Sequence, residues 1–152
     1  VAETGLGPAR FADVMEVRRM LEGQAVRLAC TRRTADNIRE ITAILEETNK
    51  RLSKKQSIER EDEAFHLAIF AATKNDILLR VARSFYELSR HRRKVYFADQ
   101  NRGRQSYEDH CTILEAIEER RVGLAEQQMN AHLSRTGEAW QALLGETKVT
   151  KR

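Results

Sequence analysis

Helix-breaking residues are almost absent from this sequence. Proline occurs once in 152 residues, at position 8, and glycine occurs seven times. Because proline interrupts helices and glycine weakens them, the chain can form long helices with little internal opposition. Beyond residue 10 the apolar residues recur at helical spacing almost without a pause, and no segment alternates as a strand does. The sequence therefore predicts an all-α protein.

Short polar or glycine-containing breaks divide this helical pattern. They predict six helices, over residues 11–32, 35–53, 58–73, 76–98, 104–119 and 122–144. Since short connections favour antiparallel neighbours, we expect a compact antiparallel bundle of six to seven helices. The domain division expected is a linker or arm at residues 1–10, the bundle at 11–145 and a C-terminal tail at 146–152.

Composition and charge narrow the class of protein. Lysine and arginine number 27 against 23 acidic residues, a net charge of +4, and this small excess favours a solvated helical surface over a nucleic-acid face. The longest apolar run, residues 67–72, is far shorter than the roughly 18 residues of a membrane span, and no signal peptide is visible. Two cysteines fit buried thiols in a reducing compartment. We expect a soluble, cytoplasmic domain with no membrane partner.

Three of the four histidines lie at the centre of an apolar helix face. His66, His110 and His132 fall on the inward faces of the third, fifth and sixth helices, whereas His91 lies about 120° from its helix's stripe and is expected on the surface. Asp62 stands one turn before His66 on the same face. A carboxylate on a buried face is costly unless it is paired or binds a metal.

Two interpretations of these four buried-face residues stay open. Imidazoles with one carboxylate suit a divalent ion such as zinc, nickel, iron or manganese, so the cluster predicts a metal site. Alternatively, the histidines are core residues that hydrogen bonds satisfy. A di-iron site is excluded because neither His110 nor His132 has a glutamate three residues earlier. A mononuclear metal hydrolase stays possible, although no general base stands out.

Two arginines fall near buried faces. Arg18 lies at the edge of the first helix's stripe while Arg19 faces solvent, and Arg92 lies within the inward arc of the helix over 76–98. A buried arginine requires an anion, which is either a structural carboxylate or a bound ligand, and Arg18 can also extend along the boundary of the core. The stripes expected to face inward are Phe11, Val14, Val17, Leu21, Ala25 and Leu28 in the first helix, and Leu78, Val81, Phe85, Leu88, Val95 and Tyr96 in the fourth.

Several short motifs, taken in order, resemble a known family. They are Glu16-x-Arg18-x-x-Leu21-Glu22-x-x-Ala25, then Asp62-x-x-x-His66, Ala71-Ala72-x-x-Asn75-x-x-Leu78, His110-x-x-Ile113-x-x-Ala116-Ile117, Ala125 and His132-Leu133. From about residue 11 to residue 140 the chain is similar to the FCD domain, the ligand-sensing C-terminal domain of FadR-type regulators in the GntR family of transcription factors.

The resemblance implies a helical bundle with an internal cavity and a metal ion. By position, Asp62, His66, His110 and His132 would hold a divalent ion, zinc above all, with nickel, manganese or iron as alternatives. A small organic acid would bind beside this ion, and Arg18 would help to neutralise it.

The resemblance also implies a role in transcription. Effector binding would be passed to an N-terminal winged helix that binds DNA as a dimer. We expect no such segment here, because residues 1–10 are too short to form one. We therefore expect an effector-binding domain from a homodimeric regulator and no enzyme activity, with Arg92 as a second candidate effector contact. The alternative function is a mononuclear metal-dependent hydrolase or lyase.

Overall fold

The computed structural model describes the backbone of residues 8–149 and the side chains of residues 11–143. All regular structure within this part of the chain is helical, which confirms the predicted all-α bundle. The helices are α1 (Pro8–Arg32), α2 (Ala35–Ser53), α3 (Glu59–Ala72), α4 (Asp76–Leu88), α5 (Arg90–Tyr96), α6 (Gln100–Glu118) and α7 (Val122–Val149). Between residues 8 and 149, no helix combines the length and apolarity needed to cross a membrane.

The ends of the bundle differ slightly from the prediction. Helix α1 begins at Pro8 rather than residue 11, since the fixed φ and missing N–H of proline suit the first turn of a helix. Helix α7 continues to Val149, so the first residues of the predicted tail are helical. Residues 1–7 of the expected arm and residues 150–152 of the expected tail lie outside the described residues.

Side-chain caps set several internal helix boundaries. Thr34 and Asn37 form a reciprocal capping box at the start of α2, and Asn75 accepts a hydrogen bond from the Leu78 amide at the start of α4. Helix α6 begins at Gln100, four residues before the predicted start. The carboxylate of Asp99 accepts from the backbone amides of residues 101 and 102, which satisfies donors that a helix N-terminus otherwise leaves unpaired.

The helix predicted over residues 76–98 is interrupted at Ser89, which separates α4 from α5. Nη2 of Arg93 donates to the carbonyl of Tyr86 at 2.8 Å, and Nε of Arg93 lies 3.3 Å from Oγ of Ser89. The Arg93 guanidinium thus donates to a carbonyl that, in a continuous helix, would accept a hydrogen bond from a backbone N–H of the next turn. Arg93 is only 1% exposed, so it is a buried residue that reorganises the backbone around it.

The buried face of α1 is rotated relative to the predicted stripe. Val17, expected inward, is exposed, whereas Arg18 and Glu22 are buried and form an ion pair with 2.8 Å between Nε and Oε2. Because the two charges neutralise each other inside the bundle, a face that contains them can turn inward. Arg19 faces solvent, as predicted.

The inward stripe predicted for α4 and α5 is confirmed at Tyr96, which is buried, and in part at Leu78 and Phe85, which are half-buried against the core. It is wrong at three positions. Val81, Leu88 and Val95 are exposed. Arg92, predicted inside, is half-buried, with its guanidinium carbon 4.8 Å from the centroid of the Phe11 ring. The break at Ser89 and the burial of the neighbouring arginine account for the difference.

A layer of polar side chains divides the core into two apolar clusters. The larger cluster includes Phe65, Ile113 and Leu133, and the smaller one includes Phe11 and Trp140. On α1 and α2 the buried polar residues fall between members of the two clusters, whereas His66 on α3 and His132 on α7 lie next to members of the larger one. We name this layer the polar belt, and it consists of Arg18, Glu22, Thr48, Asp62, His66, Ser89, Arg93, Ser106, Asp109, His110, His132 and Thr136.

Replacing Arg93 with methionine is expected to destabilise the fold by about 3 kcal/mol, because buried hydrogen bonds from a charged group are lost and the Tyr86 carbonyl keeps only the 3.3 Å hydrogen bond from the Ser89 hydroxyl. Urea unfolding followed by circular dichroism measures this change. Arg83→Met is the matched control, since Arg83 is exposed on the adjoining helix α4 and its replacement should stay within about 0.5 kcal/mol of the parent. Equal stabilities of the two variants would contradict the role given to Arg93.

Candidate metal centre

The four residues predicted as metal ligands lie together in the middle of the polar belt. Asp62 and His66 come from successive turns of α3, His110 comes from α6 and His132 comes from α7. One potential ligand atom from each residue lies within 4.8 Å of the others. None of the four residues is more than 3% exposed. Three separate helices therefore converge on one small buried volume.

Three of the six distances within this group match those between ligands of a single ion. Nε2 of His110 and Nε2 of His132 are 3.2 Å apart, and Oδ1 of Asp62 lies 3.5 Å from Nε2 of His66 and from Nε2 of His110. Ligands about 2.0–2.2 Å from a zinc ion, at tetrahedral or octahedral angles, are roughly 3–3.5 Å apart. The geometry therefore fits one divalent cation bound by three imidazole nitrogens and one carboxylate oxygen.

An unsatisfied atom supports the same fit. Nε2 of His66 is completely buried and makes no well-directed hydrogen bond, and its 3.5 Å contact to Asp62 is too long for one. Leaving a buried polar atom unpaired costs about 1–3 kcal/mol. A metal ion placed among the four side chains would give this nitrogen a partner.

Each of two histidines is backed by a carboxylate on its other ring nitrogen. Nδ1 of His132 lies 2.8 Å from Oδ2 of Asp109, whose second oxygen accepts from Arg135. Nδ1 of His66 contacts Oε1 of Glu22. Such carboxylate–histidine pairs fix the tautomer and the ring orientation of metal-binding imidazoles. In both pairs Nε2 is left directed toward the centre.

Glu22 is itself held by a buried network that reaches α4. The hydroxyl of Tyr86 donates to Oε1 of Glu22 at 2.7 Å, and Nε of Arg18 donates to Oε2 at 2.8 Å. The guanidinium carbon of Arg18 also lies 5.5 Å from the Trp140 ring centroid and 5.6 Å from the Tyr86 ring centroid. Arg18, predicted to contact an effector, thus stands next to the metal centre, with a protein carboxylate as its partner.

The protonation of the centre follows from these contacts. Burial alone raises the pKa of Glu22, but the neighbouring His66 and Arg18 outweigh it and lower that pKa to about 2. Burial alone lowers the pKa of His66, but Glu22 and Asp62 outweigh it and raise that pKa. Burial and repulsion from the other imidazoles lower the pKa of His110, so its ring is held neutral. A neutral imidazole is the form that binds metal.

Sequence reasoning found the four central residues and missed the residues that support them. Glu22 lies four positions after Arg18, a spacing that signals a helical ion pair, although nothing in the sequence shows that this pair is buried. No sequence pattern indicated the roles of Asp109 and Arg93. The partners of Asp109 lie on another helix, and those of Arg93 lie at the break between α4 and α5. His91, predicted on the surface, is exposed.

Comparison with known proteins identifies the family. The profile of the FCD domain matches residues 13–135. The chain belongs to the FCD domain family. The match confirms the resemblance seen in the sequence, that of the effector-binding domain of a GntR-family transcriptional regulator.

Three curated relatives are regulators of transcription. The chain is 31% identical to the HTH-type transcriptional regulator LutR of Bacillus subtilis over 80% of its own length and 58% of that protein's. It is 30% identical to the Nta operon transcriptional regulator of Aminobacter aminovorans, over 81% and 58% of the two lengths. It is 27% identical to the Uxu operon regulator of Haemophilus influenzae, over 80% and 47%. The chain therefore spans about half the length of the curated relatives it matches.

Solved structures show the same fold. McbR/YncC of E. coli superimposes with a TM-score of 0.79 at 18% identity, over 93% of this chain and 71% of that one. A GntR family member from Pseudomonas syringae pv. tomato superimposes with a TM-score of 0.72 at 21% identity, over 93% and 60% of the two chains. At these identities the likeness concerns the arrangement of helices.

If the four central residues bind one ion, removing metal should lower the melting temperature, because binding to the folded state alone stabilises it by about 4 kcal/mol at a thousandfold excess over Kd. Scanning calorimetry with chelator, and then with added zinc or nickel, measures the loss and its recovery. His110→Ala should abolish the response and His91→Ala should preserve it. Protein that takes up no metal and melts identically with and without chelator would show that the histidines are ordinary core residues.

Asp109→Asn is expected to weaken zinc binding by about 10–100-fold, because the isosteric amide no longer accepts from the His132 ring as a carboxylate does. Competition with a chromophoric chelator measures the affinity. The control is Glu108→Gln, which makes the same chemical change at the exposed neighbouring position. Unchanged affinity in Asp109→Asn would show that Asp109 serves its ion pair with Arg135 alone.

Proposed function

We propose that this domain senses a small organic acid at a divalent metal ion held by Asp62, His66, His110 and His132. The observation that carries the proposal is the convergence of these four buried side chains at the spacing of one coordination shell. Three imidazole nitrogens and one carboxylate oxygen suit zinc best, with nickel, manganese and iron as alternatives. Four protein ligands leave one or two positions of a five- or six-coordinate ion for a ligand, and the bound ion would supply a Lewis-acidic, positively charged anchor there.

The charge balance of the buried centre favours an anionic effector. A divalent ion and Arg18 bring three positive charges, while Asp62 and Glu22 bring two negative ones, and all of these side chains are buried. The remaining belt charges are balanced separately, since Asp109 pairs with Arg135 and Nη2 of Arg93 lies 3.5 Å from Oε2 of Glu63. An uncompensated charge inside a protein is costly, so one carboxylate from a ligand would stabilise the metal-bound centre. Arg92, half-buried near Phe11, is a second candidate contact for a larger acid.

Helix α1 is the element through which effector binding would be relayed to the rest of the regulator. It carries Arg18 and Glu22 in its middle, and it is the most N-terminal helix that the structure describes. We infer that a DNA-binding winged helix lies before it in the complete regulator, which acts as a cytoplasmic homodimer. A ligand carboxylate that competes with Glu22 for Arg18 would alter the packing of α1 against α3 and α4.

Binding is favoured over catalysis by the state of the nearby carboxylates. Glu22 accepts from Arg18 and contacts His66, and Asp109 bonds His132 and Arg135, so neither is placed to act as a general base on a metal-bound water. Turnover of an ester or phosphate substrate that disappears with chelator would instead support the alternative of a metal-dependent hydrolase.

Arg18→Ala should weaken carboxylate binding by about 1.5–3 kcal/mol, the value of a lost charged hydrogen bond. The measurement is calorimetric titration of acetate, succinate and citrate into zinc-loaded protein. Arg19→Ala, which alters the exposed neighbour, should change binding very little, and Arg18→Lys should lose less than Arg18→Ala. Equal effects of the two alanine variants would contradict the assignment, whereas failure of every acid to bind zinc-loaded parent protein would contradict the proposed function itself.

A further inference from the structure

Trp140, on α7, is a buried hydrogen-bond donor that finds no acceptor among the described residues. Its side chain is 5% exposed, and its Nε1 is fully buried without a hydrogen bond. Because Nε1 is the only polar atom of the side chain and can only donate, the indole has no second way to form one. Buried tryptophans usually pair this N–H, and an unpaired buried donor destabilises a protein. The indole N–H is therefore available to an acceptor from outside the chain.

Trp140 stands where the polar belt meets the smaller apolar cluster. The guanidinium carbon of Arg18 lies 5.5 Å from the Trp140 ring centroid. On the side of the cluster, the ring centroids of Phe11 and Tyr96 lie 5.8 Å and 6.0 Å from it. Trp140 follows the candidate metal ligand His132 by eight residues, about two turns of α7. Because helical side chains lean toward the N-terminus of their helix, the indole leans back toward the metal centre.

We propose that Trp140 determines the specificity of effector binding by donating a hydrogen bond from its indole N–H to the ligand. This role rests on the acid-sensing function proposed above and adds a second recognised group to the effector. With the ligand carboxylate at the metal ion and Arg18, an oxygen acceptor farther along the carbon chain would lie against the indole. A hydroxyl group next to the carboxylate would chelate the ion instead, so the second acceptor is several bonds away from it.

The charge balance of the buried centre favours a neutral second acceptor. One ligand carboxylate compensates the excess positive charge of the metal ion and Arg18 over Asp62 and Glu22, all of which are buried side chains around the ion. A second carboxylate beside the uncharged N–H would add a negative charge that this balance leaves uncompensated, which is costly inside a protein. The effector class is then a monocarboxylic acid with a ketone or hydroxyl oxygen toward its far end.

The test compares pairs of acids that differ in the distal acceptor. The pairs are 4-oxopentanoate with 4-methylpentanoate and 5-oxohexanoate with 5-methylhexanoate, in which a methyl branch replaces the ketone oxygen. In calorimetric titration of zinc-loaded protein, the parent should bind the oxo acid of at least one pair about tenfold more tightly, because only the ketone gives the indole N–H an acceptor. Trp140→Phe, which keeps an aromatic ring and removes the N–H, should reduce this preference to below about twofold.

Phe11→Leu is the matched control for lost packing. It removes an aromatic neighbour of Trp140 and keeps the N–H, so both acids of a pair should lose affinity together and the preference should remain. Melting temperatures show whether each variant is folded. If Trp140→Phe does not fold, replacing Trp140 with 3-benzothienylalanine keeps the size of the ring and puts sulfur in place of the N–H, and the same loss of preference is expected.

Fluorescence gives a second readout, because Trp140 is the only tryptophan in the chain. A hydrogen bond from the indole N–H shifts its emission to longer wavelength, so the preferred oxo acid should cause a larger shift in the parent than its methyl analogue does. A parent that binds acetate but shows no preference within either pair would overturn the proposal. A preference that survives loss of the N–H, or that disappears in Phe11→Leu, would also overturn it. Failure of every acid to bind zinc-loaded parent protein would contradict the sensing function, and this role of Trp140 with it.

Discussion

Burying five charged side chains in one layer of a helical bundle is possible only because each has a polar partner in that layer or next to it. Arg18 pairs with Glu22, Asp109 bonds His132 and Arg135, and Arg93 serves carbonyl oxygens. The last of the five, Asp62, faces the imidazoles. This requirement determines more of the structure than the apolar pattern does. The need to pair these charges sets the rotation of α1, the break between α4 and α5 at Ser89, and the contact between Asp109 on α6 and His132 on α7.

The polar belt also relates the fold to its chemistry. An apolar core would pack these helices, but it would offer no ligand to a cation and no counter-charge to an acid. Here the groups that satisfy the belt in the protein alone, two carboxylate–histidine pairs and one buried arginine, are those that would orient a metal shell and neutralise an anion. The same side chains stabilise the fold and would form the binding site, so a substitution at one of them is expected to affect both stability and binding.

The sequence predicted the helices well and placed the four candidate ligands on inward faces, because both depend on local spacing. Caps such as Thr34 and Asn75 act within one turn, and Asp62 with His66 share a face whatever surrounds them. The failures have a different origin. The buried faces of α1 and α4 and the break at Ser89 depend on contacts between residues far apart in the chain, such as Tyr86 with Glu22. Hydrophobic periodicity assigns charged residues to solvent, because it contains no information on ion pairs between distant residues.

The belt lies between clusters of unequal size, and this inequality has a kinetic consequence. The four candidate ligand residues are buried, so the proposed acid would reach them only when part of the bundle opens. Opening costs least where the fewest apolar contacts must be broken, which is the end formed by the smaller cluster around Phe11, Tyr96 and Trp140. That end consists of the beginning of α1, the end of α2, the residue before α3, the end of α5 and the later part of α7. The same segments would then control how quickly a ligand enters and leaves, and the larger cluster would keep the metal shell assembled while they move.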